Sequence, residues 1–450
     1  MRVLVVTQAE KTHMLSMIPL AWALRAAGHE VQVASQPTLT DAILETGLPA
    51  SLVGDNHVLY QYLTFHTFLQ DAFTGEEEDE GFDMGSVDRP ETLGWEYLRD
   101  GYRDFVPWWW KIVNDPMLDD LVTLTRSWKP DLVLWEPTAF AASIAAEACG
   151  AMHARFLWGM DVTGRMRAAF LRRMVEQPPE EQEDLLADWL GERAARYGVE
   201  FSESLVRGHA TVDPCPKTLR LEPEPQARHL PVRYIPYNGR AEVPEWLRGA
   251  AERPRVCLTL GASTTQRFDS GRMRSIAELL TELARLDAEI VATLPAEQAE
   301  ELGPLPDNIR IVQYVPLHVL MTDCAAVVHH GGAGTYLTAL YHGVPQLILA
   351  DLVMPRYQFD ESLLARGLVA QGAGLQLPGT EMSAGAVAEA VGRLLTDPSF
   401  RHRAARLRAE VLDMPSPVDL VPVLEELVAA HRTEGAVTSE GRDARVPGPS

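Results

Sequence analysis

The stretch richest in chemistry is Val327-Val328-His329-His330-Gly331-Gly332-Ala333-Gly334-Thr335, which runs into Tyr336-Leu337-Thr338-Ala339-Leu340. An apolar strand ends in two histidines, a glycine-rich turn follows, and a helix begins. Small residues let backbone N–H groups approach a ligand closely. A helix N-terminus adds unpaired donors and a partial positive charge. Together they predict an anion site, with a diphosphate as its natural occupant. The bland alternative is a tight strand–helix turn without ligand. The coincidence of histidine, glycine and threonine at one strand end favours the anion.

Absent motifs narrow the chemistry. The P-loop pattern GxxxxGK[ST] does not occur. After the first strand the chain reads Gln8-Ala9-Glu10-Lys11-Thr12-His13 rather than GxGxxG. That argues against a nicotinamide oxidoreductase and a nucleotide-sugar epimerase. No Asp-x-Asp occurs, so handling of a diphosphate by a helix end, without metal or cofactor, is the simpler expectation.

The elements that must position these residues follow a strand–helix rhythm. Residues 3–7 form a β-branched run expected of a strand buried on both faces. A helix is expected over 14–27, stopped by Gly28. A second strand follows over 29–35, then Leu132–Trp135 as a strand and a helix over 140–149. Such alternation predicts right-handed βαβ units. Residues 54–128 show no clear periodicity and are expected to be irregular, with the acidic run at 76–80 as a solvated loop. A proline-rich stretch at 214–244 reads as a linker. The rhythm then restarts with strands near 255–260, 289–294, 309–314, 325–329 and 346–350. The polar residues 432–450 are expected to be a disordered tail.

Composition agrees. The chain has 450 residues, 46 % hydrophobic, with a formal net charge of −23. Length allows two or three domains with their own cores. The acidity argues against a duplex-wide nucleic-acid footprint or an anionic membrane surface. It does not oppose a small anion site built from local donors. Cys149, Cys215, Cys257 and Cys324 are too dispersed for a CxxC metal site and too few for a disulfide scaffold. With no apolar stretch of about 20 residues, a cytoplasmic protein is expected.

Several segments carry a family resemblance. They include Thr12-His13 with the stretch 18–31, the stretch 128–137, and Arg155-Phe156-Leu157-Trp158-Gly159-Met160-Asp161. In the second half they include Tyr234-Ile235-Pro236-Tyr237-Asn238-Gly239, the stretch 256–261, and the turn at 329–335. In these the chain resembles GT-B-fold nucleotide-sugar glycosyltransferases, specifically the macrolide and anthracycline deoxysugar transferases of antibiotic pathways. The resemblance implies an α/β fold of two Rossmann-like parallel-sheet domains facing across a cleft. Residues 1–230 would bind the acceptor and 231–431 the nucleotide sugar, with the last helix packing back on the first domain. It implies an inverting transfer from a dTDP-deoxysugar, an aminodeoxysugar included, to a polyketide hydroxyl.

Residue roles follow from the same resemblance. His13 matches the general base, and imidazole suits that task because its pKa lies near neutrality. Glu136 is the position for a carboxylate that orients it, and Asp161 is the alternative. His330, Gly332, Ala333, Gly334 and Thr335 match the donor-phosphate turn, while His329 is free to face the sheet. Gly261 and Ser263 resemble a second phosphate-side loop. Val315 resembles the position whose backbone reads the base, with a plain core valine equally open.

Relatives carry Trp-Asp or Asp-Gln after the next strand, where this chain reads Asp351-Leu352-Val353-Met354-Pro355-Arg356. Val353 and Met354 predict an apolar wall that suits a deoxygenated sugar, and Asp351 is expected to keep one polar contact. Tyr60, Tyr62, Phe65 and Trp108 are candidates for an apolar acceptor pocket, with core packing as the competing role. Trp108, Trp109 and Trp110 cannot share one helix face, so at least one is expected at the surface or an interface. Finally, the segment 176–198 resembles the subgroup that uses a haem-thiolate-like auxiliary activator protein. A homodimer is an assembly the resemblance allows. The rival reading is a non-catalytic paralogue that binds polyketide or a partner protein.

Overall fold

The computed structural model describes residues 1–59, 61, 82–89, 93–223, 228–249, 251–259, 261, 270–349, 357–378 and 382–443, without side chains at 270–275, 357–358 and 435–443. Tyr60, Tyr62, Phe65, the acidic run at 76–80, Ser263, Asp351, Val353 and Met354 lie outside the described residues.

Two parallel sheets carry the fold. The first is built from β1 (Arg2–Val6), β2 (Glu30–Ser35), β3 (Ala50–Leu52), β4 (Leu132–Trp135), β5 (Met152–Phe156), β6 (Ala210–Asp213) and β7 (His229–Pro231). Its spatial order is β3-β2-β1-β4-β5-β6-β7. The second sheet uses β8 (Arg255–Thr259), β9 (Glu289–Thr293), β10 (Ile309–Val312), β11 (Cys324–His329), β12 (Gln346–Ile348) and β13 (Gly374–Gln376). Its order is β10-β9-β8-β11-β12-β13, so both halves wind the same way. In each, the sense in which successive strands are added reverses at one point, between β1 and β4 and between β8 and β11. Crevices at the carboxyl ends of strands beside such a reversal are where α/β folds bind ligands.

Local sequence explains the elements that frame these points. In β1, Val3 to Val6 are fully buried, as expected of a strand covered on both faces. Helix α1 (Lys11–Ala26) follows, with Met14, Met17, Ile18, Ala21 and Leu24 buried. The region expected to be irregular is instead helical from residue 95. Helix α2 (Trp95–Phe105), a π-helical turn over Val106–Trp110 and α3 (Lys111–Trp128) form one nearly continuous rod. Its signal lay in aromatics, because Trp95, Leu98, Tyr102 and Phe105 recur at helical spacing and are buried. The π turn, which packs an extra residue into the rod, leaves Trp108 44 % exposed and buries Trp109 and Trp110. Helices α4 (Phe140–Glu147) and α5 (Val162–Met174) complete this side.

In the second half, α6 (Ala333–His342) opens after the glycine turn and α7 (Glu361–Ala370) follows. The last described element is α8 (Pro417–Asp443), whose Leu420, Val421, Leu424, Leu427 and Val428 pack into the core of the first sheet. Residues 432–443, expected as disordered tail, continue this helix, and Arg432 pairs with Asp131. The first sheet takes its last strand from inside the proline-rich stretch, so the crossing to the second sheet occupies 232–254. At that crossing Arg233 donates from its backbone N–H to Pro415 O (2.7 Å) and from Nη1 to Leu412 O (2.8 Å). One apolar cluster runs through both halves, from Trp110, Met160 and Phe170 to Tyr336, Leu337 and Leu364. No helix among the described residues is long and apolar enough to cross a membrane.

Candidate active site

Each reversal point carries one half of the site. At the first, His13 lies in the opening turn of α1, just beyond β1, and Glu136 directly follows β4. His13 Nδ1 lies 3.5 Å from Glu136 Oε2, with the histidine one-fifth exposed and the glutamate buried. Thr138 fixes the carboxylate by donating from its N–H (3.1 Å) and its hydroxyl (2.9 Å). The amide of Gln8 lies 3.3 Å from the same imidazole nitrogen. The indole of Trp158 stacks on the ring, with centroids 4.1 Å apart and planes 11° apart. Burial pulls the His13 pKa down. The hydrogen bond and charge of Glu136, helped by Glu10 and Asp360, outweigh it, so the pKa stands above its ordinary value.

Asp161, the alternative carboxylate, is used elsewhere. Its side chain accepts from Gly164 N–H (2.9 Å) as the N-cap of α5 and pairs with buried Arg155 at 2.6 Å. It is absent from the contacts of His13. Such a cap and ion pair give the residue a structural task.

The second reversal point holds the glycine turn. His329 is fully buried; its Nδ1 accepts from Gly331 N–H (3.1 Å), so Nε2 carries the proton and donates to Gln346 Oε1 (2.9 Å). It ties the strand end to the turn and faces the sheet. Burial pushes its pKa down to about 3. His330 projects the other way, between two glycines. A Cβ at Gly261 would fall 2.5 Å from His330 Cε1, and one at Gly332 would fall 2.7 Å from Nε2. Gly331 and Gly261 both adopt positive φ, 103° and 79°, which side chains strain against. Burial lowers the His330 pKa to about 4, so the ring is neutral at physiological pH.

Helix α6 starts with Gly332 as N-cap and no side-chain cap. The N–H groups of Ala333 and Gly334 therefore belong to the helix's unpaired first turn. Thr335 and Ala333 are buried beside them. Val315 is buried in a cluster with Leu247, Cys257 and Val291, so its side chain packs in the core. Trp108 lies in the π turn of the first half.

Four residues at this site were not singled out from sequence: Gln8, Trp158, Asp360 and Glu361. Asp360 is buried, and its Oδ2 accepts from Met160 N–H at 2.9 Å across the interface between the halves. Burial and the neighbouring Glu361 carboxylate raise its pKa above the ordinary carboxylate range. Glu361 accepts from Phe359 N–H at 3.0 Å, and burial raises its pKa too. The signal for this pair was an acidic Phe-Asp-Glu-Ser opening of a helix, which reads as ordinary capping.

One further group among the described residues, Glu147, His153 and His209, brings ligand-type atoms within 4.8 Å. Trp135 Nε1 donates to His153 Nδ1 (3.2 Å), and the N–H of His153 donates to His209 Nδ1 (3.2 Å). Both Nε2 atoms then carry hydrogens and face Glu147 Oε1 at 3.2 Å. Each imidazole's lone pair is therefore taken by an N–H donor, which leaves neither ring a nitrogen to offer a metal ion.

Two family models match the chain: the erythromycin biosynthesis protein CIII-like N-terminal domain over residues 22–261 and the corresponding C-terminal domain over 277–427. The chain belongs to this family. It is a GT-B glycosyltransferase. It is 45 % identical over 440 residues to the 10-deoxymethynolide desosaminyltransferase of Streptomyces venezuelae, covering 96 % of this chain and 98 % of that one. It is 44 % identical over 439 residues to the aclacinomycin-T 2-deoxy-L-fucose transferase of Streptomyces galilaeus, with the same coverage. Among solved structures, the transferase is similar to glycosyltransferase VinC in complex with dTDP. That match has a TM-score of 0.82 and 39 % identity, covering 96 % of this chain and 100 % of the other. The spinosyn forosaminyltransferase SpnP matches with a TM-score of 0.76 and 38 % identity over 95 % and 99 %.

Proposed function

We propose that the transferase moves a deoxysugar from a dTDP donor to a hydroxyl of a polyketide aglycone, with inversion and without a metal ion. The observation that carries this reading is the pairing of two unlike histidines at the two reversal points. Nδ1 of His13 faces Glu136, which leaves Nε2 for the acceptor hydroxyl. That nitrogen takes the proton as the oxygen attacks the anomeric carbon. The bond from that carbon to the diphosphate oxygen breaks, and its electron pair stays on the diphosphate. The growing charge meets the first turn of α6 and the neutral imidazole of His330, as preorganised donors.

The names of relatives support the substrate classes, since they include desosaminyl and 2-deoxy-L-fucose transferases. The decisive experiment is a mass-detected screen of dTDP-deoxysugars and dTDP-glucose against polyketide aglycones, with and without chelator. Transfer of a deoxysugar, unchanged by chelator, is expected. Preference for dTDP-glucose over every deoxysugar, or loss of turnover on chelation, refutes the reading. We also propose that the enzyme acts in the cytoplasm as a homodimer, aided by a haem-thiolate-like auxiliary protein. Equal rates with and without that protein, or a monomeric mass in solution, would remove those parts.

A further inference from the structure

Three consecutive residues of the first half, Trp158, Gly159 and Met160, each touch something that matters to the site. Trp158 lies flat on His13 and meets Phe359 of the second half edge-on, with centroids 6.2 Å apart at 74°. Gly159 leaves room for Asp360: a Cβ there would fall 2.1 Å from Asp360 Oδ2 and 3.0 Å from Ala333 Cβ, at the start of α6. Met160 gives its N–H to the same Oδ2.

Asp360 itself is unusual. It is the N-cap residue of α7, yet its side chain makes no capping hydrogen bond there. An aspartate at that position ordinarily caps its own helix. Here it reaches across to a segment 200 residues away.

We propose that Asp360 and the Trp158–Gly159–Met160 segment form a positioning relay that holds His13 in place only when the donor half is docked against the acceptor half. The proposal rests on the assignment of His13 as base, and supplies what that assignment lacks, a physical tie between base and donor half. The imidazole is fixed from one side by Glu136. Its ring plane is fixed from the other by the Trp158 indole, whose backbone neighbours are pinned by Asp360. If the halves part, Met160 loses its acceptor and the stack loses its backing. The carboxylates that face His13 are Glu10 from the head of its own helix, Glu136 from the loop after β4, and Asp360 from the second half. Glu361 lies beside Asp360, and Asp83 acts on Glu361. Docking therefore brings the Asp360 carboxyl towards the base as well as geometric restraint.

The test uses the full chain with isotope-labelled histidine, and follows the titration of His13 by NMR alongside steady-state kinetics and dTDP binding. Gly159→Ala sets a Cβ against Asp360 Oδ2 and pushes that carboxylate off Met160, while His13, Glu136 and Trp158 keep their own side chains. It is expected to lower kcat roughly 10- to 100-fold, the penalty of a slightly misplaced reactant. It should also shift the His13 titration to lower pH; dTDP affinity is read in Asp360→Asn, which adds no atom beside Ala333, and should stay within about threefold. Asp360→Asn keeps the side-chain shape and should shift the titration the same way. Trp158→Phe should restore much of the kcat that Trp158→Ala loses. The relay is overturned if Gly159→Ala and Asp360→Asn both keep the parent titration and kcat. It is equally overturned if the kcat loss tracks only a lower folded fraction. Failure of the base assignment would look different: His13→Ala would keep its turnover, whatever the titrations show.

Discussion

His13 and His330 are the same residue type on opposite sides of the reversal points of two like-wound sheets, His13 after β1 and His330 after β11, the counterpart of β4; their surroundings drive them apart. His13 meets Glu136, Glu10 and Asp360, and its pKa rises despite burial. His330 sits between Gly261 and Gly332, with burial as its only perturbing influence, and its pKa falls to about 4. One imidazole is made ready to take and keep a proton. The other is kept neutral, a polarisable donor beside a helix N-terminus. A repeated fold thus supplies two opposite histidines by changing which side chains end the neighbouring strand: a buried carboxylate in one half, small residues in the other.

The harshest way to break this contrast is to remove the base. His13→Ala is expected to lower kcat by about 10²–10⁴-fold, the usual contribution of a general base, while dTDP binding, read by calorimetry, stays near the parent value. His330→Ala is expected to cost about 10²-fold in kcat and to weaken dTDP binding. Because that imidazole is already neutral, the loss should be flat between about pH 6 and 8; a loss that grows on acidification would mean that His330 acts as a cation.

A subtler change sharpens the electrostatic half of the contrast. A base must be neutral to act, and a raised pKa keeps His13 protonated further up the scale. The acid limb of kcat/KM should therefore lie above about pH 6.5. Glu136→Gln should move that limb to lower pH while reducing the plateau about tenfold. Asp161→Asn should leave the limb in place and instead lower Tm by several degrees, because buried Arg155 loses its partner at a cost of roughly 2–4 kcal/mol. If Asp161→Asn moves the limb and Glu136→Gln does not, the two carboxylates have been assigned the wrong way round.

Legibility in the sequence followed the range of the interactions. The turn at 329–335 could be read because strand end, glycines and helix start are contiguous. Glu136 could be placed only by likeness to a family, since nothing local links it to His13. Asp360 was hidden because its acceptor role is satisfied by Met160, 200 residues away, while its own neighbourhood looks like a helix cap. The rod from Trp95 to Trp128 was missed for another reason. Its first part buries aromatics beside a face dense in charge, and its second part carries Pro116 inside the helix, although Val113, Met117, Leu118, Leu121 and Val122 keep helical spacing there; the proline masked that aliphatic periodicity.

The two places where the chain passes between the halves are stitched together by Arg233, which bonds to Pro415 and Leu412. Two tethers joined at one point leave a hinge rather than a loose strap: the halves can swing about that pivot but are restrained from sliding or twisting apart. Arg233→Ala should widen the distribution of sizes seen by small-angle scattering of the ligand-free enzyme. An unchanged distribution would show that the pivot lies elsewhere.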